Sequence, residues 1–304
     1  MSSGKAAILG RYGLGEGDLL GVGSESWVYA LDAARVLRIR REPAASETVE
    51  RLKRFLDDIA GRLPFPTPRI EAIEAEGVTI ERRLHGRPLS EILPDLGADD
   101  RRTALQRYCD VAVAAGAVTL PDEPYGLLLA SDRVTADTWP GFFAASLDRH
   151  VARTRPYLAA AFGDVDALVG KALDRMTALP ATPRKALAHG DVFPGNVMMD
   201  DDLTVTGLVD FGTWTLVADA GYDVTAAVMF AEVDAACTPD DCALLRAILL
   251  DHAGAAAIPA MTFYRAYFAF TLFDPHDNGL YPKLQPWSLA ALKALADGTI
   301  GDWL

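Results

Sequence analysis

Apolar positions in the first hundred residues fall in short clustered runs; beyond them they recur every three to four residues. Trp27-Val28-Tyr29 and Val36 to Ile39 read as two strands around a turn at Asp32-Ala33-Ala34. Over residues 46–60 the spacing of Val49, Leu52, Phe55, Leu56 and Ile59 predicts a helix, with Ser46 placed to cap it. Pro64, Pro66 and Pro68 force an extended stretch, because the residue before a proline is driven out of the helical region. Ile70 to Ile73 and Val78 to Ile80 predict two more strands, turning at Glu76-Gly77.

From about residue 100 the texture is helical. Ala-rich amphipathic stretches cover 101–118, 140–161, 165–178, 222–235, 240–252, 258–273 and 287–297. One β interruption sits at 196–211: Asn196 to Met199, a turn at Asp200-Asp201-Asp202, then Leu203 to Val209. The class is therefore α+β, with a small β-rich N-lobe over 1–84 and a helical C-lobe over 85–304. A connector near 80–92 joins them, and a cleft between two unlike lobes is a common ligand site.

The 304 residues suit two lobes, and half of them are hydrophobic, enough for a sizeable core. No apolar run of about 18 residues suggests a membrane span, and Met1 to Leu20 lacks a signal-peptide layout. The three cysteines, Cys109, Cys237 and Cys242, read as reduced thiols of a cytoplasmic protein rather than a disulfide frame or zinc site. His85, His150, His252 and His276 show no consistent ligand spacing and read as structural or surface residues. A formal net charge of −13 opposes broad contact with nucleic acid or anionic membrane. It is compatible with a cationic ligand, although solubility alone also explains it.

The chemistry concentrates in "LAHGDVFPGNVMMDDDLTVTGLVDFGTW", residues 187–214. Phosphoryl transfer needs a carboxylate to orient the acceptor hydroxyl and hard oxygen ligands for a divalent metal. Asp191 and Asn196 are five apart on a loop containing Pro194 and Gly195, and Asp210 follows Asn196 by fourteen. The hairpin between them folds Asn196 and Asp210 back toward each other, with Asp191 just before its open end.

These motifs resemble the aminoglycoside phosphotransferase family, small-molecule relatives of protein kinases. "HGDVFPGN" is similar to that family's His-Gly-Asp, four residues, Asn pattern, and "VDFG" to its metal-binding loop. Gly190 stands where protein kinases usually carry Arg. The resemblance implies a two-lobed protein-kinase-like fold, Asp191 as catalytic base, and Asn196 and Asp210 as Mg2+ ligands. It makes His189 a loop-shaping residue. In "ADAGYDV", Asp223 begins a helix and braces the catalytic loop. The phosphoryl donor is then ATP or GTP.

On the nucleotide side, Gly21, Gly23, Ser24 and Ser26 of "GVGSES" fall where a phosphate-covering loop would lie. Arg38 of "VLRIRR" sits where the kinase strand lysine would be; its role would be electrostatic, since arginine cannot act as a neutral base. Arg40 and Arg41 read as solvated. An acidic helix partner for Arg38 is expected at Glu47 or Glu50, with Glu50 preferred for its place beside the apolar run. "TIERRLHGRPL" resembles the inter-lobe hinge, so backbone groups from Glu81 through Arg83 to Leu84 would meet the nucleobase edge.

For the acceptor, the resemblance points between the catalytic loop and the C-lobe helices. Glu232, Asp234, Asp274 and Asp277 are the acidic candidates there. Tyr264, Tyr267 and Phe268 lie on an aromatic helix whose periodic stripe fits core better than pocket. The implied function is transfer of the γ-phosphoryl group to a hydroxyl of an aminoglycoside-like antibiotic. A macrolide kinase, or a metabolite kinase acting on homoserine, methylthioribose, choline or a sugar, is the alternative. The intact Asp191, Asn196 and Asp210 oppose a non-catalytic binding module. The short stretch from Phe211 to Gly221 leaves no room for a protein-kinase activation segment.

Overall fold

A computed structural model describes residues 2–23, 25–42, 45–74, 77–274 and 282–304. Its N-terminal region is a five-stranded antiparallel sheet of β1 (Leu19–Val22), β2 (Ser26–Ala30), β3 (Arg35–Arg40), β4 (Ile70–Ile73) and β5 (Val78–Arg82), in the order β1-β2-β3-β5-β4. Strand alternation divides the sheet's two faces. Tyr29, Leu37, Ile39 and Val78 bury one face against Ile8 and Leu9 of α1 (Ser2–Tyr12), a helix the sequence reading did not expect. Val28, Arg38 and Thr79, cross-strand neighbours, share the other face.

Helix α2 (Ser46–Ile59) packs by β4, and its Leu52, Leu56 and Ile59 join the main core that continues into the C-terminal region. Ser46 does not cap it: Ala45 holds the N-cap position and no side chain accepts there. Arg40 and Arg41 are not simply solvated either. Arg40 lies 3.7 Å from Glu25, and the Arg41 guanidinium lies over the Trp27 ring at 4.8 Å.

The C-terminal region contains α3 (Leu89–Ile92), α4 (Ala98–Ala117), α5 (Trp139–Phe162), α6 (Val165–Met176), α7 (Tyr222–Val233), α8 (Pro239–Ala253), α9 (Ile258–Thr271) and α10 (Leu284–Asp297). Their starts follow capping chemistry. Thr138 caps α5, Asp164 caps α6, and Thr238 with Asp241 forms a capping box on α8. Helix α7 is buried on nearly every side, as its almost wholly apolar sequence requires.

Two small sheets carry the loops. Strands β6 (Arg87–Pro88), β10 (Val197–Met199) and β11 (Val205–Leu208) form one, ordered β11-β10-β6. Strands β7 (Tyr125–Leu127), β8 (Thr135–Ala136), β9 (Ala186–Ala188) and β12 (Leu216–Ala218) form the other, ordered β8-β7-β12-β9. The hairpin of β10 and β11 forms where expected, but Asn196 closes a 3-10 turn before the first strand begins, and the second strand runs Val205–Leu208 rather than Leu203 to Val209. Strands β9 and β12 pair directly, Ala188 opposite Leu216. The loop entering the hairpin and the loop leaving it are therefore anchored on one ladder. No single helix among the described residues is long and apolar enough to cross a membrane.

Candidate active site

The hairpin brings Asn196 and Asp210 together. Val197 pairs with Leu208, and Val209 N–H donates to Asn196 O at 2.9 Å, leaving Asp210 as the next residue out. Asn196 Nδ2 donates to Asp191 O at 2.8 Å and lies 3.3 Å from Asp191 Oδ2. The amide is thereby oriented, with Oδ1 as its other arm. Asp210 holds φ +69, a left-handed conformation uncommon for a residue with a Cβ and concentrated at functional sites. Burial, and next the negative charge of Asp210, push the Asp191 carboxyl up to about 7.

His189 ties the two loops. Its Nδ1 accepts from Asp191 N–H at 3.3 Å, and its Nε2 lies 2.9 Å from Val209 O, which places the ring proton on Nε2. Burial pushes this histidine down to about 4, so it stays neutral. Its ring meets Phe211 edge-on at 4.5 Å. Asp223, buried at the start of α7, accepts from His189 N–H at 2.5 Å and Gly190 N–H at 3.0 Å. Tyr108, on α4, supplies a brace that sequence reading missed. Its buried hydroxyl lies 2.5 Å from Val192 O and 2.9 Å from Ala227 O, one proton between two carbonyls.

Gly190 has φ +79, and a methyl group there would overlap the Trp214 carbonyl. Gly190→Ala is expected to cut turnover by about 10^2-fold, because a displacement of ~1 Å in the loop costs that much. Steady-state kinetics beside a thermal melt would separate this loss from unfolding.

Facing the trio across the cleft, Arg38 donates from Nε to Glu81 Oε1 at 3.1 Å. Its Nη1 donates to Ser26 Oγ at 3.1 Å and Asp210 Oδ1 at 3.2 Å. Glu81 also accepts from Thr79 Oγ1 at 2.6 Å and is 4% exposed. This corrects the expected partner. Glu50 lies on the exposed side of α2, 3.9 Å from Arg54, and Glu47 lies 3.7 Å from Arg51. The β3–β5 ladder places Arg38 opposite Thr79, so Glu81, two residues on, shares its face.

The hinge reading changes with it. Glu81 presents its carboxylate to the cleft while its backbone lies in the sheet. Arg82 N–H donates to Arg69 O and Arg83 N–H to Ala34 O, each at 2.8 Å, so neither donor is free for a nucleobase. Gly21 pairs with Val28 in β1, and Gly23 N–H donates to Ser26 O at 2.9 Å, closing the loop turn. Ser24 lies outside the described residues. Glu25, not anticipated, lines the cleft within 3.4 Å of Thr213 Oγ1. Glu81→Gln is expected to raise the nucleotide KM roughly five- to ten-fold, since a charge-assisted bond that aims Arg38 is lost. The acceptor KM should not change, and initial-rate kinetics against each substrate decides it.

Behind Asp191, away from Arg38, opens a second cavity whose walls include Gly190, Phe142, Trp214, Tyr267 and Leu272.

A family model described as "Phosphotransferase enzyme family" matches residues 19–267. The chain belongs to that family. It is a phosphotransferase with an alcohol group as acceptor. Among solved structures, this phosphotransferase resembles a thermostable variant of aminoglycoside phosphotransferase APH(4)-Ia, in ternary complex with AMP-PNP and hygromycin B. The identity is 19%, with 98% of each chain covered and a TM-score of 0.68. It also resembles the gentamicin complex of APH(2'')-IIa, at 12% identity, 96% of each chain and a TM-score of 0.64. A streptomycin–ATP complex of APH(2'')-IIa gives 13% identity, 96% of each chain and 0.62. At these identities the likeness shows the shared two-part kinase-like fold. No curated protein sequence matches the phosphotransferase.

The acidic acceptor candidates do not come together in this phosphotransferase. Glu232 accepts from Arg246 at 3.0 Å, Arg265 at 2.7 Å and Trp287 Nε1 at 2.6 Å, a structural knot beneath α10. Asp234 Oδ1 accepts from Ala236 N–H at 2.8 Å in the turn after α7. Asp274 is exposed just past α9, and Asp277 lies outside the described residues. Neither Glu232, Asp234 nor Asp274 lines the cavity beside Asp191. The aromatic stripe of α9 serves both readings: Tyr264 is core, whereas Tyr267 and Phe268 are core and cavity wall together.

Proposed function

We propose that this phosphotransferase is a cytoplasmic small-molecule kinase that moves the γ-phosphoryl group of ATP or GTP to a hydroxyl of an aminoglycoside-like antibiotic. In this reading residues 1–84 hold the nucleotide and 85–304 carry the chemistry and the acceptor. The observation that carries it is the meeting of Asp191, Asn196 and Asp210 at the hairpin mouth, with Arg38 opposite. Asp191 orients the acceptor hydroxyl and takes its proton, and Arg38 binds phosphate oxygens. The solved relatives named above carry AMP-PNP or ATP, and hygromycin B, gentamicin or streptomycin, which supports the reading.

The residues fit Mg2+. Asn196 Oδ1 and the Asp210 carboxylate are hard oxygen donors. No cluster of three or more His, Cys, Asp and Glu placed to hold a metal occurs among the described residues. A site with few protein ligands, completed by phosphate and water, is what Mg2+ takes rather than a transition metal. When bound, Mg2+ neutralises charge on the transferring phosphates.

A coupled ADP- and GDP-release assay tests the proposal, with both nucleotides and aminoglycosides, macrolides, homoserine, methylthioribose, choline and sugars as acceptors. Acceptor-dependent release with an antibiotic is expected. Release with a metabolite instead would move the enzyme to the metabolite kinases, and silence across every acceptor would end the kinase reading.

A further inference from the structure

The cavity behind Asp191 is built by aromatic and aliphatic side chains. Among the described residues that line it, Asp191 is the one carboxylate. Several of its aromatic rings already have one face covered by a neighbour. Tyr222 lies over Phe268, centroids 5.1 Å apart and planes 28° apart, and Phe230 lies over Phe193 at 4.2 Å and 25°. Phe142 and Tyr267 tilt against each other at 6.4 Å, and Tyr267 meets Phe268 edge-on at 5.9 Å. Such a wall offers aromatic and aliphatic carbon and, among the described residues that line it, no charged group but Asp191. An ammonium group entering it would find one carboxylate to pair with, Asp191, which the transfer itself requires.

Trp214 is different. It is 41% exposed, and a tight turn holds it, with Thr215 N–H donating to Gly212 O and Gly212 N–H donating to Thr215 Oγ1, each at 3.0 Å. Its ring is backed by His150 of α5, with centroids 6.2 Å apart and planes 18° apart. That histidine stays neutral, and Arg153 Nη2 lies 2.9 Å from its Nδ1, which puts positive charge behind the platform. An indole so placed presents a flat surface, four residues past Asp210 and in the same cavity as the Asp191 carboxylate.

We propose that the acceptor is a ring-bearing alcohol recognised by the apolar face of an uncharged ring, stacked on Trp214, with its reacting hydroxyl at Asp191 and any amines held outside this cavity. This rests on the kinase reading above but departs from its aminoglycoside acceptor: recognition at the reacting end is by stacking, not by pairing ammonium groups with carboxylates, which favours the neutral acceptors among the alternatives, a macrolide or a glycoside. In the transfer the acceptor oxygen forms its bond to the γ-phosphorus as the bond from that phosphorus to the β,γ-bridging oxygen breaks. The hydroxyl proton goes to Asp191, and the nucleoside diphosphate leaves.

The experiment compares wild type, Trp214→Ala and Trp214→Phe against four acceptors: gentamicin as a polyamine, a macrolide, a neutral aryl glycoside, and choline. Initial rates are taken at 50 and 500 mM salt. The macrolide or the glycoside is expected to be preferred, with an acceptor KM that moves less than two-fold with salt. Trp214→Ala should raise that KM at least ten-fold, Trp214→Phe should restore most of it, and the nucleotide KM should hold in both. Preference for gentamicin with a KM that climbs with salt, or preference for choline, overturns the inference while leaving the kinase intact. So does a KM indifferent to Trp214→Ala. No nucleotide turnover with any of the four, nor with the wider panel, would instead take down the parent reading.

Discussion

Asp191→Ala is expected to lower kcat by about 10^2- to 10^4-fold, the range associated with a positioned general base. Nucleotide affinity should change by less than about three-fold, because the proposed mechanism assigns the phosphate and metal contacts to Arg38 and the Asn196–Asp210 pair. The geometry separates the two proposed roles: Asp191 lines the cavity beside Trp214, whereas Arg38 and Asp210 line the other cleft, the one assigned to the nucleotide. The pH profile supplies an independent readout. Burial and the neighbouring Asp210 charge hold the Asp191 carboxyl near 7, well above the ordinary carboxylate range. A raised pKa means that the active, ionised form is lost as pH falls through about 7. A falling acid limb in kcat/KM is therefore expected in wild type, moved to lower pH by divalent metal, which offsets the Asp210 charge. In Asp191→Ala that limb should vanish. Single-turnover rates across pH, beside calorimetric titration with nucleotide, check both halves; full turnover in the variant would remove Asp191 from the chemistry.

How far the site could be read in advance depends on how local each contact is. Asn196, Asp210 and the hairpin between them are fifteen consecutive residues, 196–210, so turn and strand patterns alone fold them onto each other. His189 and Asp223 entered through the motif. The partner of Arg38 is set by which strand lies next to β3, and that is β5, more than forty residues away. Nothing in helix periodicity around Glu47 and Glu50 carries that information. A face count along "VTIER" would have put Glu81 beside Thr79, but only with the β3–β5 register in hand. Tyr108 reads as one more apolar position on α4, since a buried hydroxyl leaves no mark on the pattern. Strands β7, β9 and β12 have three residues each, too few to display a two-residue period. On the acceptor side, the resemblance points to acidic residues near the C-lobe helices, and sequence cannot show whether such carboxylates are already engaged within the fold, as Glu232 and Asp234 are. One is consumed by two arginines and the other by a turn.

Asp210 sets two effects of opposite sign against each other. Its carboxylate pairs with Arg38 at 3.2 Å and so competes with phosphate for that guanidinium. It is also the principal anionic candidate to hold Mg2+. Asp210→Asn removes the charge while keeping a side chain tolerant of φ +69, where alanine would add strain of its own. Without divalent metal, nucleotide should bind this variant as well as wild type or slightly better, because Arg38 is released from one of its two carboxylates and still held by Glu81. With Mg2+ present the order reverses. Loss of a charged oxygen ligand outweighs the gain at Arg38, and the dissociation constant of the metal–nucleotide complex should rise about ten- to a hundred-fold, ~1.4–2.7 kcal/mol. Turnover should fall at least as far, since the phosphate is then poorly placed for Asp191. Calorimetry with and without Mg2+ resolves the two signs. Equal weakening in both conditions would mean that Asp210 acts by shaping the loop, and tighter binding in both would mean that its chief effect in the wild type is to restrain Arg38.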